Sequence, residues 1–446
     1  MRGETRLIVR HAGTVLVGQL AVMAFGLTDT IVAGRYDENA LAALSVGSAI
    51  YISVYVSLMG VLQALLPIWA ELHGAGKKAD IGRSVRQSMY LCGAAIVLGM
   101  TVLSFPGPLM RWTEVPQAMR GDVERYLLIL SLALPPSMLF RVFGTLNQSL
   151  GKPRLLTLLQ LVSLAIKVPL SIWFAFGGAG LPAMGLVGCG WATLVVNYAM
   201  LACAAWLLRT QPLYRDIGIW QRMEAPDWRQ LGAFVRLGVP AGLSVLVEIT
   251  SFTLMALFIA RLGVVATAAH QIGANIAALA YMMPMSIAIA SSARVSFWLG
   301  SGNPAAARDA CRRGLLLALG FALLYGALML LLRTRLPAVY ANDAAVVAVA
   351  SQLLAVIALY HLADALQTVS VFILRCYRVT VLPLVIYCTL QWGIGLGGSV
   401  LLAYHGLGPW PAMQSPLAFW IMGGVALALT AALFLALLRR TLRPRG

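Results

Sequence analysis

Apolar runs long enough to cross a bilayer recur along the whole chain, and they constrain its fold more than any single residue does. A transmembrane helix needs about 20 consecutive, mostly apolar residues. Such stretches are read at 13–34, 43–70, 86–108, 123–149, 155–177, 183–208, 235–260, 266–292, 314–333, 346–374, 381–403 and 417–438. With 60% hydrophobic and 11% charged residues, a soluble domain could not cover its own surface. Helical spans satisfy their backbone internally, as hydrocarbon demands. The expected fold class is an all-α polytopic membrane protein with about twelve spans.

The basic residues suggest an orientation. With both termini in the cytoplasm, 24 of the 33 Lys and Arg fall inside and 7 outside, as the positive-inside rule asks of an even number of spans. The net charge of +17 then reflects topology and the neighbouring lipid surface, with no case for nucleic acid. The apolar run after Arg10 is too long for a signal-peptide core and reads as a retained first helix. The six cysteines show no CxxC spacing and the five histidines no cluster, so neither disulfides, structural zinc nor a cofactor is expected.

Sliding the chain against itself by 226 residues aligns Arg35 with Arg261, Gly47 with Gly273, Met59 with Met285 and Arg86 with Arg312. It also superposes the loops Gly74–Gly76 (GAG) and Gly300–Gly302 (GSG). Neither loop carries a phosphate-binding GKS or GKT ending, and both read as tight turns with φ > 0. The duplication implies two six-helix lobes, 1–208 and 235–446, joined by a polar cytoplasmic linker at 209–234. An even number of spans per repeat implies a pseudo-two-fold along the membrane normal, with binding near the lobe interface.

Three carboxylates lie inside the apolar runs: Asp29 in the first, Glu248 in the seventh and Asp364 in the tenth. A charge at mid-bilayer costs at least about 2.5–3.5 kcal/mol, so such residues face a cavity or a bundle interior and mark ion, proton or cation pathways. Tyr360, His361, Gln367 and Thr368 stand three or four residues from Asp364 and share its helix face. Carboxylates so placed can hold a monovalent cation or exchange a proton. The bland alternative is pairing with Lys167 or Arg141, the two basic residues placed deep in spans. Lys167 shares a repeat with Asp29, and Pro169 would kink its helix. Arg141 is long enough to snorkel. The run Tyr281–Met282–Met283–Pro284–Met285 suits a promiscuous binding wall, although core packing explains it equally well. His270 reads as structural.

These residues resemble the multidrug and toxic compound extrusion (MATE) transporters, closest to the NorM-like branch. The resemblance rests on FGLTDTIVAG, ALAALSVGSAIY, LGVPAGLSVLVEITSFTLMALFIARLG, ATAAHQIGANIAALAYMMPMSIAIA and HLADALQTV, and spans the chain. It implies two six-helix lobes around a V-shaped cavity in a bacterial inner membrane. It also implies export of lipophilic, mainly cationic compounds in exchange for Na⁺ or H⁺. On the family's pattern, Glu248, Asp364, Tyr281 and Tyr360 form a cation site, with Na⁺ or H⁺ taken at Glu248 and Asp364, and Asp29 is the helix-one acid of the coupling set. Lys167, Gln367 and His361 are candidate modulators, and Asp29, Asp364, Met282 and Met285 candidate cavity residues. The chain departs from the family at Lys167 and Ser171, where asparagines are common; a lysine there would pair with Asp29 and take it out of coupling.

A lipid-linked oligosaccharide flippase of the same superfamily is the alternative, but its cavities are more basic than three membrane acids allow. A membrane enzyme would need a nucleophile with a base, or a metal cluster, near the midplane, and the sequence offers neither. The expectation is a secondary active transporter, monomeric by default.

Overall fold

Each expected span is a helix in the computed structural model, which describes residues 2–112, 117–178, 180–406 and 408–443. Arg445, one of the residues assigned to the cytoplasmic side, lies outside them. The spans are α1 (Gly3–Tyr36), α2 (Asn39–Gly74), α3 (Lys78–Ser104), α4 (Met119–Ser149), α5 (Arg154–Phe176) and α6 (Leu186–Thr210). There follow α7 (Trp228–Ala260), α8 (Val264–Gly300), α9 (Pro304–Leu332), α10 (Ala344–Cys376), α11 (Val381–His405) and α12 (Leu417–Leu442). No strand forms among the described residues; an isolated bridge joins Gly178 to Leu181.

Most helices outrun the apolar stretches that announce them, because capping chemistry, not hydropathy, ends them. Asp37 caps α2 through the amides of Asn39 and Ala40, Asn303 caps α9 through Ala306, and Asp343 caps α10 through Ala345. The glycine loops behave as expected, with Gly76 and Gly302 both at φ +71°. They close the same Schellman turn. Gly76 N–H bonds to His73 and Lys77 N–H to Leu72, while Gly302 bonds to Leu299 and Asn303 to Trp298, the same pattern 226 residues on. The ends of α4 and α10 repeat it at an offset of 227, with Gly151 at φ +68° answered by Arg378 at φ +61°. Within α11, Thr389–Gly397 and Leu401–His405 are wound as π-helix. The side-chain-free Gly393, Gly395, Gly397 and Gly398 sit in or beside the first stretch, which begins two residues after Tyr387.

The chain divides into two compact units, Thr14–Gly242 and Met1–Gly13 with Leu243–Gly446. The first is built on a core that includes Leu62, Trp69, Ile81, Leu127, Leu134 and Phe234. The second has a core around Ile272, Leu353, Ile357 and Trp420 and a smaller one around Ile259 and Phe419. The linker expected at 209–234 belongs to the first unit, where it is strapped to the start of α3. Arg86 grips Glu224 with Nε at 3.0 Å and Nη2 at 2.5 Å, and its Nη1 donates to the Gly218 carbonyl. Gln87 donates to Ala225 O and accepts from Asp227 N, Tyr90 donates to Glu224 O, and Lys78 pairs with Asp216 at 2.8 Å. The bonds from Arg86 hold the Glu224 carboxyl below its ordinary range, and the bond from Lys78 does the same for Asp216. Conversely, the first turns of α1 belong with the second unit, where Glu4 takes both Nε (2.6 Å) and Nη2 (2.9 Å) of Arg294.

Candidate functional site

In the first unit, α1 brings Asp29 to Lys167 of α5. The ammonium donates to Asp29 Oδ1 at 2.6 Å, to Thr193 Oγ1 at 2.8 Å and to the Cys189 carbonyl at 3.1 Å. A lysine has three protons to donate, and all three are placed. Ser171, one turn along from Lys167, donates to the same Asp29 oxygen at 3.3 Å. Lys167 is wholly buried and Asp29 nearly so, with Val32, Ala175 and Cys189 packed alongside. The α6 backbone comes this close because Gly188 precedes Cys189. A Cβ there would stand 2.5 Å from the carbonyl carbon and oxygen of Phe174 on α5. The arrangement is a cation site whose cation is covalently attached. The sequence pointed to Lys167 and Asp29; it missed Thr193 and the Cys189 carbonyl, since a backbone acceptor leaves no mark in a sequence.

In the second unit, α7, α8 and α10 bring together four of the expected residues. Glu248, Tyr281, Tyr360 and Asp364 all lie within electrostatic reach of one another. Two residues join them that sequence reasoning did not place there: Tyr387 of α11, in reach of Glu248, Tyr360 and Asp364, and Arg375 of α10, in reach of Glu248 and Tyr281. Arg375, one of the 24 basic residues that the charge bias counts on the cytoplasmic side, is buried, with its guanidinium 4.4 Å from the Phe372 ring. Thr368 lies beside both Tyr281 and Asp364 and donates to Gln367 Oε1 at 3.1 Å. Gln391 donates to the Tyr387 hydroxyl at 3.4 Å.

The polar stripe expected on α10 splits. Tyr360 turns its ring onto Trp420 of α12, with centroids 5.3 Å apart, where Gly423 and Gly424 leave it room. His361 turns the other way, onto Tyr325 of α9 at 5.7 Å, and is buried. Neighbouring positions on one helix face can still serve different neighbours. His270 also packs, 5.8 Å from Trp420. Met282 and Met285 are half-buried one to four residues from Tyr281, and Asp29 lies in the other unit from Glu248 and Asp364.

The two acidic sites differ in one respect. Among the described residues, six ion pairs form within 4 Å; one joins Asp29 to Lys167 and none involves Glu248 or Asp364. One acid carries its own counter-ion. The other two face tyrosine hydroxyls, a threonine and each other, a set of oxygen ligands able to hold a small cation or pass a proton, with the Arg375 guanidinium beyond 4 Å but in reach of Glu248.

Comparison with known proteins agrees with this architecture. The MatE family profile matches residues 15–173 and 240–400, one stretch in each half of the chain. A probable multidrug resistance protein NorM from Aromatoleum aromaticum is 39% identical, covering 98% of this chain and 94% of its own. Multidrug resistance protein PmpM of Pseudomonas aeruginosa is 33% identical over 98% of this chain and 91% of its own. Among solved structures, the Vibrio cholerae MATE transporter VcmN in its bent form superposes with a TM-score of 0.86 at 18% identity, covering 99% of this chain and 98% of its own. The eukaryotic MATE transporter AtDTX14 gives 0.86 at 18%, with 99% and 97% covered. Twelve apolar helices, a duplicated profile match and close relatives along nearly the full length place the chain in the MatE family of multidrug and toxic compound extrusion transporters.

Proposed function

We propose that the protein is a cation-coupled multidrug antiporter of the bacterial inner membrane, with both termini in the cytoplasm. It exports lipophilic, mainly cationic compounds, and Na⁺ or H⁺ enters in exchange at Glu248 and Asp364. One observation carries the reading: Asp29 is already neutralised by Lys167 at 2.6 Å, whereas Glu248 and Asp364 have no basic partner within 4 Å among the described residues. A site closed by a tethered ammonium has no place for a second cation; the open pair does. Tyr281, Tyr360 and Tyr387 supply neutral oxygens and ring faces to an ion held there. Drug and ion compete for the same negative charge. Each shifts the conformational equilibrium by its difference in affinity between states, so ion binding promotes drug release and drug binding promotes ion release.

The test is efflux of a fluorescent lipophilic cation from proteoliposomes under a Na⁺ gradient alone or a pH gradient alone. Na⁺-driven transport makes the pair a sodium site, and pH-driven transport makes it a proton carrier. Glu248→Gln or Asp364→Asn abolishes either. Asp29→Asn abolishing transport while those two variants retain it would overturn the reading, as would silence under both gradients.

A further inference from the structure

Arg141 does not snorkel. It is 9% exposed, on α4 two turns before the helix ends at Ser149. Its Nη2 donates to Gln63 Oε1 of α2 at 2.6 Å, while its Nε–H meets no acceptor. None of the carboxylates among the described residues comes within 4 Å of it. A buried cation without a counter-charge is strongly disfavoured, and structures keep one only where something neutralises it. Two groups beside it are also unfulfilled. Gln63 Nε2 belongs to the amide that Arg141 holds, and Thr145 Oγ1 lies one turn further along the same helix face; both are buried without a partner. Tyr55 is within electrostatic reach of the guanidinium, and its ring stacks on Tyr51 at 5.6 Å and 11°, adding an aromatic wall.

The architecture does not require this charge. The matching turns at the ends of α4 and α10 put Thr368 at the corresponding place in the second repeat, where a neutral hydroxyl serves. The role therefore belongs to this site.

We propose that Arg141, Gln63 and Thr145 form a binding site for a monovalent anion, filled either by a free halide or by the carboxylate of an amphoteric cargo. Three unfulfilled hydrogen-bond donors around an unpaired guanidinium present what such an anion needs: charge, a planar fork and a directed hydroxyl. The second source rests on the export reading above and the first does not, so the halide arm of the test stands if that reading fails.

The experiment is calorimetric titration of the full chain in nanodiscs of zwitterionic lipid, in chloride-free buffer at constant Na⁺. One arm adds bromide; the other adds a lipophilic amine bearing a carboxylate and, separately, its methyl ester. The wild type is expected to bind bromide, or to bind the acid at least about tenfold more tightly than the ester, the scale of one charge-assisted hydrogen bond. Arg141→Gln and Thr145→Val should each reduce that binding at least severalfold. Bromide binding identifies a free ion, and acid-over-ester preference identifies a cargo group. Wild-type protein that ignores bromide and treats acid and ester alike overturns the proposal, as does anion binding undiminished in both variants. If Arg141→Gln fails to fold, Thr145→Val decides, because Thr145 makes no hydrogen bond whose loss would unfold the helix.

Discussion

Asp29 and Lys167 neutralise each other where neither could stand alone. Removing one partner of a buried pair leaves an uncompensated charge and costs about 3–5 kcal/mol, whereas removing both together is far milder. Asp29→Asn or Lys167→Met alone should therefore lower the thermal midpoint sharply, and the double variant should recover most of the loss. Under the proposed coupling, the double variant also retains ion-driven efflux, which a proteoliposome assay reads directly. Under the same coupling, the relevant neighbour at Glu248 is Arg375, a fixed positive charge that would oppose a bound cation. Arg375→Gln should tighten apparent ion affinity by roughly three- to tenfold, the size of a screened charge–charge interaction. A titration of the coupling ion measures it, and a weaker affinity would count against a cation site there. The sequence exposed Asp29, Glu248 and Asp364 because each is an ionisable residue in an apolar run. It hid Tyr387, which looks like any aromatic in such a run, and Arg375, whose closeness to a helix end made it read as a surface charge.

The helices were readable in number and place from hydropathy, but not in length, since Asp37, Asn303 and Asp343 and the Schellman turns at Gly76, Gly151 and Gly302 set their ends. The π-helical turns of α11 were hidden too, because a run of glycines states only that several windings are open. The α5–α6 contact depends on one missing Cβ. Gly188→Ala should force the two helices apart, destabilise the protein by about 1–3 kcal/mol and lengthen the Lys167 bond to the Cys189 carbonyl. A melting curve and the structure of the variant test both points. The strap at residues 209–228 has its own pH dependence. Arg86 and Lys78 hold Glu224 and Asp216 below their ordinary values, so the strap's contribution is complete above about pH 4.5 and is lost as pH falls through the lowered values. Hydrogen exchange across this segment should accelerate in acid, and Arg86→Ala should bring the same acceleration at neutral pH.

For the molecule as a whole, the excess of Lys and Arg on alternate loops predicts sidedness. In a background without the six cysteines, Ser301→Cys should resist an impermeant thiol reagent applied from outside the cell, and Asn342→Cys should react with it. Reversed labelling would overturn the orientation. Under the proposed coupling, the lysine fixed at Asp29 also sets a limit on pumping power. A transporter with two exchangeable acidic sites could carry an ion at each, but here the Lys167 ammonium occupies one of them. If a single ion enters for each monovalent cation leaving, no net charge moves and the membrane voltage does no work on the cycle. The steepest cargo gradient the protein can hold is then the ion gradient itself. A tenfold difference in the coupling ion, about 1.4 kcal/mol, sustains at most a tenfold difference in drug, and the fixed ammonium has exchanged reach for independence from salt in one half of the machine.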